Sequence, residues 1–197
     1  MDADFSVELG RDDPVLDFPW TDPDGRLLFF DLKQHPELIA TLEEVENFPE
    51  LGEFLGTVNS ERSALQSAKC DVWTTTELSA EEEIFHASNK LGSYVDLVFT
   101  DIEPRLAFAF HEHFARRLTE LLRRAPEIPS SVEVCLRRCF FADAGETAEG
   151  FYLTVYISGY GSDDKSARWN WGVALKLAEN AIEHLSSSAK NDEPRKA

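Results

Sequence analysis

The stretch that decides the fold lies between residues 132 and 158, where VEVCLRRCFF (132–141) and FYLTVYIS (151–158) flank a polar segment, ADAGETAEG (142–150). Both outer runs are rich in β-branched and aromatic residues, the composition that strands favour. The segment between them contains two glycines and few apolar residues, as hairpin connections do. This pattern predicts an antiparallel hairpin with a long loop.

Alternate side chains of a strand point to opposite faces of a sheet, so the two runs can be written by face. One face is apolar and is expected to form the core. The other face, which we term the polar face, mixes aromatic, charged and thiol side chains. Its candidate ligand- or partner-binding residues, two of them from a third predicted strand, are Tyr94, Asp96, Cys135, Arg137, Tyr152 and Tyr156.

Further elements follow from the spacing of apolar residues. Strands are predicted at residues 71–78 and 93–100, and amphipathic helices at 104–124 and after Gly159-Tyr160-Gly161. The element order is therefore ββαββα. We expect the α+β class, with an antiparallel sheet of about four strands and the two long helices on one face. The alternative is a ferredoxin-like split βαβ arrangement, which would require a helix around residues 81–83.

The start of the chain has a different composition. Residues 1–25 are rich in Asp and Pro and are expected to form an extended acidic lead-in. Residues 26–60 are expected to form an acidic helical cover, and residues 70–187 the ββαββα core. Together they make one predicted domain over residues 26–187. Residues 188–197 are expected to be a disordered tail.

The acidic helical cover contains two predicted helices, 36–47 and 49–58, each with proline at its first helical position. Their glutamates lie opposite an apolar stripe, as on the solvated side of amphipathic helices. If the helices lie over the polar face, Arg137 and Asp96 are simply paired beneath them. If they lie elsewhere, the face is open to a ligand. The covered arrangement is the favoured interpretation.

The net charge of -18 arises entirely before residue 104. Residues 1–103 hold 24 Asp and Glu against 6 Lys and Arg, whereas residues 104–197 hold 13 of each. A field of one sign repels phosphate and attracts cations, so we expect a basic protein partner and no nucleic acid. The sequence has no apolar run of the roughly 20 residues that a membrane span needs. Acidic first residues and three scattered cysteines complete the expectation of a cytoplasmic protein that does not bind membranes.

No motif assigns a catalytic, cofactor or metal residue. His111 and His113 are two positions apart, so on a helix their side chains diverge by roughly 200° and cannot bind one ion; we expect them at the surface. Gly159-Tyr160-Gly161 lacks the residues of phosphate-binding loops and is interpreted as a turn, with Asp163 or Asp164 capping the next helix. The sequence therefore does not favour an enzyme.

Three functions remain open at this point. The charge split favours a non-catalytic protein–protein interaction module, of an inhibitor, immunity or adaptor type, that binds a basic partner. The alternative is a small-molecule binder or enzyme that uses the polar face, where Arg137 would hold an anionic group. The third is a structural homo-oligomer, such as a homodimer in which two polar faces meet.

Overall fold

The computed structural model describes residues 1–22, 24–26, 28–79, 86–143 and 146–191. Within these residues the chain forms six strands, one 3-10 helix and five α-helices. The strands are β1 (Asp2–Glu8), β2 (Val15–Phe18), β3 (Leu65–Thr75), β4 (Asn89–Phe99), β5 (Ser130–Asp143) and β6 (Glu146–Gly161). The 3-10 helix is Pro36–Thr41, and the α-helices are α1 (Glu43–Asn47), α2 (Pro49–Val58), α3 (Ile102–Leu106), α4 (Phe108–Arg123) and α5 (Asp164–Asn191).

The six strands form one sheet in the order β1-β5-β6-β4-β3, with β2 also paired to β5. The predicted hairpin is confirmed, because β5 and β6 pair antiparallel from Ser130 opposite Gly159 to Asp143 opposite Glu146. The two strands continue through most of the segment expected to be a loop, since main-chain pairing does not depend on apolar side chains. β4 pairs antiparallel with both β3 and β6. The fold is mixed α+β with a mostly antiparallel sheet.

The sheet has six strands rather than the expected four, because the start of the chain joins it. β1 and β2 follow one another along β5 and run parallel to it, with Asp2 opposite Ser131 and Phe18 opposite Phe141. Residues 1–25, which were expected to form an extended acidic lead-in, thus contain two strands of the sheet. The partner strand lies far along the chain, and a short polar edge strand carries little local signal of its pairing.

On each of the edge strands β1 and β3, an aspartate side chain accepts a hydrogen bond from a main-chain N–H group. On β1, Asp4 Oδ1 accepts a hydrogen bond from the Phe5 N–H at 2.8 Å. On β3, Asp71 Oδ1 accepts one from the Val72 N–H at 2.7 Å. Charged side chains on edge strands, with their carboxylates turned onto the backbone, discourage pairing with a foreign strand.

The face of the sheet opposite the polar face forms the main core, and α4, α5 and α2 pack on it. The apolar stripe predicted for the last helix is confirmed, since the following residues of α5 are buried: Trp171, Ala174, Leu175, Ala178, Ile182 and Leu185. α5 begins after a capping pair in which Asp163 Oδ1 accepts the Ser166 N–H at 2.7 Å and Ser166 Oγ accepts the Asp163 N–H at 3.2 Å. This reciprocal pair satisfies donors at the helix start.

The acidic helices lie on the core side of the sheet and do not cover the polar face. α2 packs against α5, and its apolar stripe is buried: Leu51, Phe54, Leu55 and Val58. The Phe48 and Trp171 rings lie 5.8 Å apart, and Glu50 pairs with Arg168 at 2.8 Å. The favoured interpretation, in which residues 36–58 lie over the polar face, is therefore wrong. An amphipathic helix requires an apolar surface, and α5 with the core side of the sheet supplies it.

Other predicted boundaries also differ. The helix expected at 104–124 is two helices, because Ala107 between α3 and α4 has an extended backbone with φ -98° and ψ 107°. α5 continues to Asn191, past the expected start of the tail at residue 188. Residues 192–197 and the turn expected at 81–83 lie outside the described residues.

Candidate functional site

The polar face is organised in rows that run across the strands, because the register places one side chain from each strand beside the next. One row contains Asp4, Glu133, Tyr156, Tyr94 and Asp71. The neighbouring row contains Ser6, Cys135, Thr154, Asp96 and Lys69. With strands about 4.8 Å apart, the ends of a row are separated by about 19 Å. The first row therefore has two tyrosines in its middle and carboxylates at both ends.

One end of the polar face is covered by the start of the chain. A second apolar cluster there contains Leu16, Phe18, Trp20, Phe29, Ala68, Val98, Cys139, Phe141 and Tyr152. Arg105 of α3 lies over the Phe141 ring at 5.2 Å, so this end is closed. Tyr152 is only 3% exposed and belongs to this cluster, not to the accessible surface. Around Tyr94 and Tyr156, which are partly exposed, no described helix packs against the face.

Arg137 links three strands beneath the surface of the polar face. Its Nε donates to Glu8 Oε2 at 2.7 Å, and its Nη1 donates to Thr154 Oγ1 at 3.0 Å and to the Tyr156 hydroxyl at 3.1 Å. The residue is 8% exposed. A guanidinium that is buried and bonded in this way holds β1, β5 and β6 together, so its Nε and Nη1 donors are not directed at an external anion.

Asp96 is a buried carboxylate in the row beside the tyrosines. It is 6% exposed, and its Oδ1 accepts a hydrogen bond from the Thr154 hydroxyl at 2.6 Å. Burial raises the pKa of Asp96 to about 6, although the Thr154 hydrogen bond and the charges of Arg137 and Lys69 act in the opposite direction. Asp96 therefore titrates close to neutral pH.

The Thr154 hydroxyl joins Arg137 to Asp96, because it accepts from one and donates to the other. We expect Thr154→Val to lower the free energy of unfolding by about 2 kcal/mol at neutral pH, since a buried carboxylate loses its hydrogen-bond donor. The loss should be smaller below about pH 5, where Asp96 is protonated in the folded state. Urea denaturation at both pH values measures this difference. Thr147→Val, at an exposed position of the same strand, is the matched control. An equal loss at both pH values would contradict the proposed link to the Asp96 charge.

The aromatic rings of the polar face form a line across three strands. Tyr94 lies 6.0 Å from Tyr156 and 6.4 Å from Trp73, measured between ring centroids. A Cβ atom at Gly92 would come within 2.7 Å of the Trp73 indole, so this ring lies directly over the glycine and would have to shift for a larger residue. Burial and the nearby charges of Asp96 and Asp71 raise the pKa of Tyr94, which keeps its hydroxyl protonated.

Cys135 is the member of the predicted set with thiol chemistry. Its Sγ accepts a hydrogen bond from Ser6 Oγ at 3.2 Å, and its ligand atom lies within 4.8 Å of those of Glu8 and Glu133. Burial raises the pKa of Cys135 to about 12, so the thiol is protonated and weakly nucleophilic. Because Glu8 is held by Arg137, these three groups do not form a free set of metal ligands.

His111 occupies the core, in contrast to the surface position expected for it. It is fully buried, its Nδ1 lies 3.1 Å from Ala107 O, and its ring contacts Phe99 and Phe151. Burial lowers the pKa of His111, so the imidazole is neutral. Its position on the inner side of α4, away from the polar face, gives it a packing role.

A shallow cleft of about 470 Å³ lies at the start of α5, away from the predicted residues. It is lined by Glu50, Asp163, Lys165, Ser166, Arg168, Trp169 and Asn170. Arg168 in this cleft is paired with Glu50, and Asn170 donates to Tyr160 O at 2.7 Å. Arg168 and Asn170, two of the polar groups that line the cleft, are therefore already engaged in hydrogen bonds.

The register brings all six sequence-predicted residues to the polar face, but it also adds residues that the sequence analysis missed. The additions are Asp4 on the edge strand β1, Glu133 on the adjacent strand β5, and Asp71 and Trp73 on the opposite edge strand β3. Alternation along β3 places Asp71 and Trp73 on the same face as Lys69, but which face that is depends on the pairing of Asp71 with Tyr94 in β4.

Comparison with protein-family models, with curated proteins and with solved structures finds no match to this chain. No helix within the described residues combines the length and apolar character needed to cross a membrane. The function is therefore argued from the polar face itself.

Proposed function

We propose that this protein is a non-catalytic interaction module that binds a basic protein partner on its polar face. The observation that carries the proposal is the row of Asp4, Glu133, Tyr156, Tyr94 and Asp71. In this row, exposed carboxylates flank partly exposed rings where no described helix packs. Carboxylates at the rim attract and orient a basic partner, and tyrosines provide contact area with little loss of conformational entropy.

The charges on this face favour a basic protein over the two alternatives. An anionic small molecule would need the guanidinium of Arg137, whose donors bond Glu8, Thr154 and Tyr156. A homodimer in which two polar faces meet would bring the exposed carboxylates of both copies together, which costs free energy through like-charge repulsion. A basic surface can pair with the exposed carboxylates of Glu133 and Asp71 without either difficulty, whereas Asp4 is already paired with Arg123 of α4 at 3.1 Å.

A variant in which three carboxylates of the polar face are replaced by neutral amides tests this proposal. Asp2→Asn, Asp71→Asn and Glu133→Gln together remove three exposed carboxylates that lie on or beside the row. The matched control, Glu43→Gln with Glu46→Gln and Glu120→Gln, removes three exposed charges from helices. Both variants change the net charge equally, so only the location of the lost charges differs.

We expect the polar-face variant to lose its affinity for basic proteins by about tenfold, because three favourable pairs are removed. The control should bind within about twofold of the native protein. Affinity capture followed by mass spectrometry identifies the partners, and titration with each purified partner gives Kd at about 0.1 and 1 M salt, where the Debye length is about 10 and 3 Å. Captured partners that are acidic, or a Kd that is equal in the two variants or at the two salt concentrations, would overturn the proposal.

A further inference from the structure

The adjacent Trp73 and Tyr94 rings have no described lysine or arginine over them, whereas three other rings of the polar face do. Lys69 lies over Trp20 at 4.5 Å, Lys90 over Tyr160 at 5.7 Å and Arg137 over Tyr156 at 5.5 Å. Among the described residues, Trp73 and Tyr94 contact other rings but no lysine or arginine. Aromatic rings on this face therefore attract cations, and the Trp73–Tyr94 pair is left for a cation from outside.

Carboxylates stand on two sides of this ring pair. Asp71 is directly opposite Tyr94 across β3 and β4, and it is exposed. Asp96 lies two residues from Tyr94 on the same face of β4 and is buried. Burial raises the pKa of the Tyr94 hydroxyl, and the charges of these two carboxylates raise it further.

We infer that Asp71, Trp73 and Tyr94 form a seat for a lysine or arginine side chain of the basic partner. This inference rests on the proposed function and names the chemistry that recognises the partner. The aliphatic stem would lie along the rings, with the charged group against their faces and the Asp71 carboxylate. We refer to these three residues as the cation seat.

The rings of the seat pack against neighbouring groups in the absence of a partner. Trp73 lies over Gly92, and Tyr94 is held between Trp73 and Tyr156. Asp71 and Trp73 lie on the same side of β3, roughly 6.7 Å apart along the strand. Side chains that already pack against one another lose little conformational entropy when a cation binds. Less of the favourable contact free energy is therefore offset by the cost of ordering them.

The row of the polar face also predicts the spacing of two cations in the partner. Glu133 lies on β5, three strand positions from Asp71 on β3, which corresponds to about 14 Å. In an extended peptide, side chains four residues apart are separated by about 13 Å. A segment with two basic residues at this spacing can therefore place one cation in the seat and another at Glu133.

The probe is an acetylated and amidated pentapeptide, Lys-Thr-Val-Thr-Lys, with the Gln-Thr-Val-Thr-Gln peptide as its neutral control. Binding is followed by NMR through the indole N–H signals, because Trp73 lies in the seat. Trp169, which is 73% exposed on α5, serves as an internal reference on the other side of the sheet. We expect the lysine peptide to shift the Trp73 signal and leave the Trp169 signal in place, and the neutral peptide to shift neither.

Substitutions of the aromatic rings distinguish binding in the cation seat from general electrostatic attraction to the polar face. Tyr94→Leu should raise Kd for the lysine peptide by about fivefold, whereas Tyr94→Phe, which keeps the ring, should remain within about twofold. Trp73→Leu provides a second variant. Its binding to the lysine peptide is measured through backbone amide shifts, and the same spectra check its fold.

The outcomes separate the inference from the proposed function. If the lysine peptide binds, and the polar-face charge variant weakens it while Tyr94→Leu and Trp73→Leu do not, the cation seat is refuted and the proposed function stands. If the peptide shifts only signals outside the polar face, or the charge variant binds basic proteins as well as the native protein does, both ideas fail. Loss of binding with leucine and its retention with phenylalanine supports the seat.

Discussion

Replacing Gly159 with alanine is expected to destabilise the protein by about 3 kcal/mol or more. Gly159 lies in β6 on the core side, directly beneath α5. A Cβ atom there would come to 2.6 Å of Trp171 Cα, and would be closer still to Trp171 N and Ala167 O. These are backbone atoms of a long helix, so a rotamer change cannot relieve the overlap. Either α5 moves away from the sheet or the strand is displaced.

Gly56→Ala is the matched control for this substitution. Gly56 is exposed on α2, and a Cβ atom there would meet no heavy atom within 4 Å. Alanine should stabilise the helix at this position by roughly 0.5–1 kcal/mol. Urea denaturation followed by circular dichroism gives the free energy of unfolding for both variants. An unchanged midpoint for Gly159→Ala would show that α5 does not pack on the sheet as closely as described.

Gly159 also illustrates what the sequence could and could not predict. The sequence alone predicts a turn at Gly159-Tyr160-Gly161, because glycine most often marks a break between elements. In the structure β6 continues through Gly161, and the glycine at 159 allows a helix to approach the sheet. The apolar stripe of α5 was predictable from periodicity, whereas the close contact that glycine permits depends on a helix that begins later in the chain.

The polar face was predictable as a face but not in its boundaries. Alternation along β5 and β6 places Arg137 and Tyr156 on one side of the sheet, and the structure agrees. Which surface α2 covers could not be predicted, because an amphipathic stripe does not say which apolar surface it will meet. The edge partners Asp4 and Asp71 required the register of long-range strand pairs, for which a single sequence holds no direct signal.

Replacing Asp96 with asparagine is expected to stabilise the protein at neutral pH by at most about 3 kcal/mol. The pKa of Asp96 is about 6 in the folded protein, against an ordinary value of 3.8 in an exposed carboxyl. Between these two values the folded state holds a proton that the unfolded state has released. Stability contributed by Asp96 is therefore complete below about pH 3.8 and is lost as the pH rises through 6.

Asparagine at position 96 removes this dependence of stability on pH, because its amide is neutral at every pH. Its oxygen can still accept the hydrogen bond from Thr154. The difference in free energy of unfolding between Asp96→Asn and the native protein should grow by about 2 kcal/mol between pH 4.5 and 8. Chemical denaturation across this range measures the difference, and Asp2→Asn provides the reference for removing a carboxylate from an exposed position. A difference that stays constant with pH would contradict the titration of Asp96 near 6.

The Asp96→Asn variant also tests why the protein keeps a carboxylate that lowers its stability. Buried charges that destabilise a fold are commonly retained where they serve binding. Asp96 lies beside Tyr94, so its negative charge strengthens the field at the cation seat. We therefore expect Asp96→Asn to be more stable at neutral pH and to bind the lysine peptide about threefold more weakly than the native protein. Below about pH 5, where Asp96 is protonated in the native protein, the two affinities should converge. If the variant gains stability and binds with unchanged affinity at neutral pH, the Asp96 charge does not contribute to the seat.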